Sequence, residues 1–306
     1  MNSYTEIPIL LLVYNRTEKF KKLIDSLRSC ELSETVVLNI FSDAPKNDVD
    51  EIEIKALRAY CRNIQGFYRV ILHERKNNLG GLINGAQALT HMSANYSYFI
   101  ILEDDNVVHP MFLKSLRRLS EKYHTDSTVS SISLYNTPNF EQRSGLYLSK
   151  IFNGWGVLVW SHKPYLKDLV RVSKPYSDMV SRKLNKEVKK YHPKLPRLLK
   201  LIDAGLGLTD YHATYLNIRN NTYQIRSFSP MILNSGFDGT GERCGIDERF
   251  NIALLSENSD LNRLQETYEL ENDITFYRFF HPKKTLISAL QDIFRKLMNL
   301  IKRNGK

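Results

Sequence analysis

The chain has 306 residues, a net charge of +10 and 42% hydrophobic residues, which is enough to bury the core of one large domain or two smaller ones. Its apolar runs are too short to cross a bilayer, and its three scattered cysteines argue against a disulfide framework and fit a reducing compartment. Eight Lys or Arg residues accompany one Glu in residues 182–200, and seven accompany one Asp in residues 283–306. These two basic patches could bind nucleic acid or an anionic membrane surface.

The first half of the sequence alternates short apolar runs with helical patterns. Continuous apolar runs predict buried parallel strands, and apolar residues that recur at helical spacing predict amphipathic helices. The β-α-β-α order predicts a mostly parallel sheet wrapped by helices. The predicted strands are Ile7–Val13, Val36–Phe41, Arg69–His73, Tyr98–Leu102 and Val129–Leu134, and the predicted helices follow a Thr17 cap, an Asp48/Glu51 capping box, Gly81 and Pro110.

The second half of the sequence is less regular. Glycines and prolines interrupt its apolar and helical patterns, and they predict loops between short elements. The predicted features are an apolar run at Ile151–Trp160, a proline-broken basic helical stretch at Lys163–Leu201, a helix from Asp210 capped by Thr209, a strand at Tyr223–Phe228 and a mobile glycine-rich loop at Asn234–Gly245.

The tail of the chain combines apolar and basic residues. Between Lys283 and Arg303, apolar residues recur on one helical face with basic residues among or beside them. A basic amphipathic helix at a terminus is typical of an interfacial membrane anchor. A helix that packs on the domain has the same periodicity, so both interpretations stay open.

The most informative segment is the apolar run Tyr98–Leu102, which leads directly into Glu103, Asp104 and Asp105. Adjacent like charges repel and resist burial, so a counter-charge must hold them, and a divalent cation does so most simply. In open α/β sheets the ligand crevice lies at the carboxyl ends of the strands, and acidic groups there suit a hard cation that also binds substrate phosphates. The segment predicts a metal site for a nucleotide diphosphate, with a solvated acidic turn as the alternative.

Six segments, in order, resemble the GT-A-fold glycosyltransferases, most closely the N-acetylglucosaminyltransferase I-like group and its bacterial sugar-transferase relatives. The acidic run matches that group's EDD variant of the DxD metal motif. The segments that carry the resemblance are Pro8–Arg16, Phe41–Asp43, Glu103–Asp105, Phe152–Gly156, Leu208–Asp210 and Asn234–Gly239.

The resemblance implies an α/β fold of the GT-A (Rossmann-like) type, with a mostly parallel sheet flanked by helices. We expect a glycosyltransferase domain at residues 1–250, with a nucleotide-binding half at 1–105 and an acceptor half at 106–250. A connecting segment at 251–282 and the basic amphipathic helix at 283–306 would follow.

The resemblance also implies roles for the acidic residues. Asp105 is the expected metal ligand, Asp104 would contact the ribose or support the metal through water, and Glu103 would face the donor sugar or acceptor. An all-oxygen site suits Mn²⁺ or Mg²⁺, which would stabilise the departing diphosphate. Asp210 is the expected catalytic base for an inverting transfer. A carboxylate that merely begins a helix is the alternative.

Other matched segments supply the remaining expected site residues. Arg16 and Asp43 follow the first two strands, where they could hydrogen-bond a base and ribose or form a surface ion pair. The loop at 234–245 would close over the donor and exclude water, or be a disordered connection, and its Asp238 and Glu242 are the alternative bases. The expected donor contacts also include Tyr14, the sugar and acceptor pocket includes Asn136, Gly154, Trp155 and Asp238, and the lid includes Gly236, Gly239, Gly241 and Arg243.

We therefore expect a metal-dependent inverting glycosyltransferase that uses a nucleotide sugar, with UDP favoured, and a glycan or lipid-linked glycan acceptor. The resemblance and the basic tail together suggest bacterial surface-polysaccharide synthesis (O-antigen, capsule or lipopolysaccharide) by a cytoplasmic enzyme held on the anionic inner leaflet through 283–306. Nucleic acid is not an expected partner, because the positive charge avoids the acidic run and no recognition motif is present.

Two alternatives to this function remain. A sugar-nucleotidyltransferase also uses a metal and a diphosphate, but it would carry a Gly- and Arg-rich loop where this chain has Tyr14-Asn15-Arg16-Thr17-Glu18. A non-catalytic protein that binds a nucleotide or sugar would not need both the complete acidic run and Asp210.

Overall fold

The computed structural model describes residues 6–140, 143–163, 166, 182–191, 193–196, 209–238, 247–250, 261–265 and 267–281. Within these ranges a central eight-stranded sheet is flanked by helices, and a two-stranded sheet accompanies it. The strands are β1 (Ile7–Val13), β2 (Val36–Ser42), β3 (Arg69–Glu74), β4 (Tyr98–Glu103), β5 (Asn106–Val108), β6 (Val129–Ser133), β7 (Leu146–Ser149), β8 (Val157–Trp160), β9 (Tyr223–Ser227) and β10 (Ile232–Asn234). The helices are α1 (Thr17–Arg28), α2 (Asp48–Arg62), α3 (Gly80–Asn95), α4 (Phe112–Tyr123), α5 (Arg182–Tyr191), α6 (Thr209–Asn220) and α7 (Leu270–Phe280).

The large sheet has the strand order β3-β2-β1-β4-β8-β6-β9-β7. Its parallel pairs are β3 with β2, β2 with β1, β1 with β4, and β6 with β9. Strand β8 runs antiparallel to β4 and β6, and β7 runs antiparallel to β9. The predicted mixed α/β fold with a mostly parallel sheet is therefore confirmed.

The sheet is buried on both faces, because helices pack against each side. Successive residues of a strand point to opposite faces, and β1 follows this rule. Ile9 and Leu11 belong to a core with residues of α1, α2 and α4, whereas Leu10 belongs to a core with residues of α3, α5 and α6. Burial on both faces explains why the sequence of β1 is continuously apolar rather than alternating.

A crevice for a ligand follows from the strand order. The chain passes from β1 outward through β2 to β3 and then returns to place β4 on the other side of β1. Such a reversal opens a crevice at the carboxyl ends of the two strands that flank it. The register pairs Leu12 with Glu103, so Arg16 follows one strand end and the acidic run follows its neighbour.

Two predicted helix caps are wrong. Thr17 is the first residue of α1, and Arg16 takes the cap position without a side-chain hydrogen bond. Helix α2 is capped by Asn47, whose side chain accepts the Asp50 N–H at 2.9 Å, so the Asp48/Glu51 capping box does not form. In both cases the predicted cap is one residue away from the observed one. Such errors arise where several polar residues follow one another, because more than one of them can cap a helix.

Other elements differ from the sequence-based expectation. The structure adds β5, β7, β10 and α7, which were not predicted, and the predicted loop from Asn234 begins on the last residue of β10. In the part of the chain that the structure describes, no helix is both long enough and apolar enough to cross a membrane. The predicted tail helix at 283–306 and the loop residues 239–246 lie outside the described residues, and the division into domains stays a prediction.

Candidate active site

The acidic run lies on a tight turn between β4 and β5. Glu103 ends β4, and its N–H donates to the Asn106 side-chain oxygen at 2.9 Å, which closes the turn around Asp104 and Asp105. These two aspartates are 4% and 5% exposed. The turn therefore holds two buried carboxylates at the carboxyl end of β4, in the crevice beside β1.

The side chain of Arg16 bridges the two buried aspartates. Its Nε donates to Asp104 Oδ2 at 3.1 Å and its Nη1 donates to Asp105 Oδ2 at 2.9 Å, while Nη2 donates to Asp104 Oδ1. A guanidinium fork matches carboxylate geometry, and such charge-assisted bonds are among the stronger ones in proteins. Arg16 is thus the direct counter-charge of the acidic turn.

Burial and mutual repulsion shift the pKa values of the acids in the crevice. Burial, reinforced by the charges of Asp105, Asp210 and Asp104, raises the pKa of Glu103 to about 8. Burial also raises the pKa of Asp104 to about 6, against the opposing charge of Arg16. Glu103 and Asp210 are nonetheless exposed residues, and we attribute their pKa shifts to the protein that surrounds them on the crevice side. Near neutral pH these values leave Glu103 mostly protonated and Asp104 and Asp210 mostly ionised.

Asp210 reaches the same crevice from the first turn of α6. Burial raises its pKa to about 6, and a backbone hydrogen bond from Gly154 partly opposes that shift. A Cβ at Gly154 would lie 2.8 Å from Asp210 Oδ1, which is closer than such atoms pack. The glycine before Trp155 is therefore needed for the close approach of the backbone to this carboxylate.

The segment after β10 covers Asp105. The Ser235 N–H and hydroxyl both donate to the Asp105 carbonyl at 2.8 Å. The Gly236 N–H donates to Asn234 Oδ1 at 2.7 Å, and a Cβ at Gly236 would overlap Asp105 Oδ2. Lys19 of α1 binds this segment through the Ser235 carbonyl at 3.0 Å and the Asp238 carboxylate at 2.8 Å. The first residues of the predicted lid, 234–236, therefore hold the acidic turn in place.

An aromatic cluster joins the two glycine segments. Trp155, next to Gly154, lies 5.7 Å from the ring of Phe237, which is next to Gly236. The same indole contacts Tyr135 at 4.7 Å and Phe250 at 6.0 Å. Trp155 is half-buried in this cluster. Its packing therefore connects the Gly154 segment, which contacts Asp210, to the Gly236 segment, which contacts Asp105.

Asp43 is bonded to the backbone in this structure, and its expected contact with a nucleotide base stays a prediction. It is 5% exposed, and its carboxylate accepts the backbone N–H groups of Ala44 at 2.9 Å, Leu79 at 2.9 Å and Gly80 at 2.8 Å. These bonds fix the start of α3 against the end of β2. A carboxylate with three backbone donors at a helix N-terminus serves the fold.

Asn136 is likewise enclosed by the fold, and its expected place in the sugar pocket stays a prediction. It is fully buried, and its amide nitrogen donates to the Phe228 carbonyl at 3.1 Å while its oxygen accepts the Thr137 N–H at 2.9 Å. An amide side chain left without partners in the core is costly, so these bonds explain why Asn is accommodated there.

Tyr14 contacts α2 through its hydroxyl group. Its hydroxyl donates to Asp50 Oδ2 at 2.8 Å and accepts the Lys46 N–H at 3.0 Å. Asn15 donates to the other oxygen of Asp50 at 2.8 Å. The backbone that carries Arg16 is therefore anchored to α2 on its amino side.

The structure brings together most of the candidate residues, from β1, β4, α6 and two glycine segments. It also adds supports that sequence reasoning missed, chiefly Lys19, Asn106 and Ser235. The position of Lys19 one helical turn after Arg16 was the available signal for the first of these. The expected lid residues Gly239, Gly241 and Arg243 lie outside the described residues.

A separate cavity of about 650 Å³ opens at the opposite, amino end of the parallel strands. Its walls include Pro8 of β1, Arg69 of β3 and Tyr96 after α3. None of the acids of the crevice lines it, so it does not belong to the candidate active site.

The donor set of the crevice fits a hard divalent cation with few protein ligands. The candidate ligands are carboxylate oxygens, which Mg²⁺ and Mn²⁺ prefer, and those of Asp104 and Asp105 lie buried at the carboxyl end of β4. Among the described residues, no group of three or more His, Cys, Asp or Glu side chains is arranged to enclose a metal. A cation would therefore complete its coordination with water and substrate oxygens.

No protein-family model matches the sequence, and no curated protein matches it. The crystal structure of S. aureus TarS 1–349 is similar with a TM-score of 0.40 at 14% identity, over 53% of this chain and 48% of that one. Its complex with UDP-GlcNAc gives 0.38 at 14% identity, over 53% and 47%. The mannosyltransferase PcManGT from Pyrobaculum calidifontis, in complex with GDP-Man and Mn²⁺, gives 0.40 at 15% identity, over 70% of each chain. The match spans about half the length of TarS 1–349, and the family stays a prediction.

Proposed function

We propose that the chain is a metal-dependent, inverting glycosyltransferase of the GT-A fold that moves a sugar from a nucleotide sugar to a glycan or lipid-linked glycan. One observation carries the proposal: Glu103, Asp104, Asp105 and Asp210 face one crevice where β1 and β4 end. Glycosyl transfer from such a donor needs a site for the diphosphate and a base for the acceptor, and these acids are suited to both tasks.

The acidic turn is the proposed donor side of the crevice. Asp105 would hold Mn²⁺ or Mg²⁺, and the bound cation would stabilise the charge that grows on the departing diphosphate. The bond between the Ser235 N–H and the Asp105 carbonyl and the turn closed by Asn106 keep this carboxylate in place. Preorganisation of that kind lowers the reorganisation needed during the reaction.

Asp210 is the proposed base. Its pKa of about 6 leaves it ionised at neutral pH yet basic enough to accept the proton of an acceptor hydroxyl. The Gly154 backbone hydrogen bond orients the carboxylate. The charge of Asp210 contributes to the raised pKa of Glu103, and this proximity supports roles for both acids at the reacting sugar.

The finer parts of the proposal rest on the sequence. The resemblance favours UDP as the nucleotide, and the basic residues of 283–306 support attachment to an anionic membrane surface. A cytoplasmic enzyme of bacterial surface-polysaccharide synthesis, held at the inner leaflet, combines these two features.

Turnover of the donor tests the proposal without knowledge of the acceptor. UDP-, GDP- and CMP-sugars are incubated with the protein, and release of the nucleotide is measured with Mn²⁺ or with EDTA. We expect release from one nucleotide class only, dependent on metal, and abolished by Asp105→Asn. Asp25→Asn removes a carboxylate that pairs with Arg28 on the exposed side of α1 and serves as the matched control. Release that persists in EDTA and in Asp105→Asn would contradict the proposal.

A further inference from the structure

Arg16 and a divalent cation need the same carboxylate oxygen. Arg16 Nη1 lies 2.9 Å from Asp105 Oδ2, and a bound Mg²⁺ or Mn²⁺ would lie about 2.1 Å from its carboxylate ligand. Two positive groups on one oxygen repel strongly, because little water separates them. The other oxygen, Asp105 Oδ1, faces the donor amide of Asn106 at 3.5 Å. A cation on Oδ2 would therefore compete with Arg16 for this oxygen.

The local backbone allows the Arg16 side chain to move on its own. Asn15 and Tyr14 are fixed to Asp50 by hydrogen bonds of 2.8 Å each, and α1 begins directly after Arg16. The side chain of Arg16 is 26% exposed, so it lies at the mouth of the crevice rather than in the core. A change of rotamer can take the guanidinium from the carboxylates to a ligand in the crevice.

The ligand that suits a released guanidinium is a diphosphate. Arg presents several donors in a planar fork that binds phosphate oxygens through paired hydrogen bonds. Without a cation, a diphosphate would meet the negative charges of Asp104 and Asp105. Without a diphosphate, a cation would have to displace Arg16 and leave it unpaired beside a new positive charge.

We infer that Arg16 is an exchangeable counter-ion that neutralises Asp104 and Asp105 in the metal-free protein and transfers to the diphosphate of the nucleotide when the cation binds. The inference rests on the proposed function, and it adds a binding order to it. Metal and nucleoside diphosphate each bind weakly alone and strongly together, and the coupling is reciprocal.

Calorimetric titration of the full chain tests the inference. Mn²⁺, UDP and GDP are titrated singly, and then Mn²⁺ is titrated with each nucleotide at saturation. In the unmodified chain we expect a nucleotide to tighten Mn²⁺ binding by at least about 10-fold, within the usual range of coupling between sites. In Arg16→Gln we expect Mn²⁺ alone to bind at least about 10-fold tighter than in the unmodified chain, and the coupling to the nucleotide to approach one.

Two further variants separate occupancy of the oxygen from a general loss of charge. Arg16→Lys keeps the charge but not the fork, so Mn²⁺ alone should bind it more tightly than the unmodified chain. If only the long-range field of Arg16 mattered, Arg16→Lys would bind Mn²⁺ like the unmodified chain. Lys21→Gln removes a positive charge from α1, the helix that follows Arg16, where Lys21 pairs with Glu18 at 2.7 Å. This variant should leave both affinities unchanged.

The outcomes distinguish failure of the inference from failure of the proposed function. Mn²⁺ and nucleotide that bind independently in the unmodified chain, or Mn²⁺ affinity that is unchanged in Arg16→Gln and Arg16→Lys, would overturn the inference while leaving the transferase proposal intact. No nucleotide binding under any condition would overturn both. Melting curves guard against misfolding, since Arg16→Gln should melt lower than the unmodified chain without metal and recover on addition of Mn²⁺.

Discussion

Replacement of Gly154 by Ala isolates the geometry of the proposed base. The new Cβ would lie 2.8 Å from Asp210 Oδ1 and 3.5 Å from its carboxyl carbon. The atom in the way is the end of a side chain, so Asp210 can rotate aside at little cost to the fold. Such a rotation moves the carboxylate by roughly 1 Å, and a displacement of that size at a reacting group lowers turnover by about 100-fold.

The assay compares Gly154→Ala with Gly85→Ala, a control within α3 where the new Cβ would make an ordinary 3.4 Å contact with Leu12. We expect Gly154→Ala to keep its melting temperature and its metal-dependent nucleotide binding, and to lose turnover of the donor with acceptor. Gly85→Ala should keep all three properties. Near-normal turnover in Gly154→Ala, or loss of turnover together with loss of folding, would refute the reasoning.

Three other results are expected. Asp210→Asn should bind nucleotide with metal as before and lose turnover by about 100- to 10,000-fold, the usual contribution of a general base, and near-normal turnover would show that Asp210 is not the base. Burial raises the pKa of Glu103 to about 8, so the folded metal-free chain holds a proton that the unfolded chain releases near pH 4.5. The stability of the unmodified chain should therefore fall as pH rises from about 4.5 to 8. The melting temperature of Glu103→Gln should depend less on pH over this range, and the same dependence in both chains would contradict the assignment. Removal of residues 283–306 should weaken binding to vesicles of anionic lipid and spare turnover on a soluble acceptor, and unchanged vesicle binding would count against the anchor.

The sequence was sufficient to predict the central strands and the acidic turn. The runs at Ile7–Val13 and Tyr98–Leu102 are apolar at nearly every position because both sheet faces are covered, and this pattern has few other interpretations. The acids after the second run could then be placed at the carboxyl edge without knowledge of the partner strands. Elements with short or mixed patterns, such as β7 and α7, were missed because their register depends on packing partners that are distant in sequence.

The hydrogen bonds of Asp43 and Asn136 show why the roles of residues are harder to predict than strands. Both are polar residues that follow strands, which is also the pattern of ligand contacts. Their hydrogen-bond partners, such as Gly80 for Asp43 and Phe228 for Asn136, come from other parts of the chain. Only the three-dimensional arrangement shows that these partners already satisfy the two side chains.

The contact between Arg16 and the acidic turn was hidden for the same reason. Arg16 and Asp105 are 89 positions apart, and the sequence placed each of them near the nucleotide without pairing them. Parallel pairing of β1 with β4 brings the two segments together, and the ion pair follows from that topology.

The most direct test of the account is a thermal-shift panel of UDP, GDP, CMP and ADP, each with and without Mn²⁺. A ligand that binds only the folded chain raises the melting temperature by mass action. We expect a shift with one nucleoside diphosphate that requires Mn²⁺ and disappears in Asp105→Asn. The absence of a shift with every nucleotide, in the presence of metal, would contradict a nucleotide-sugar site and leave the acidic turn as a structural ion pair with Arg16.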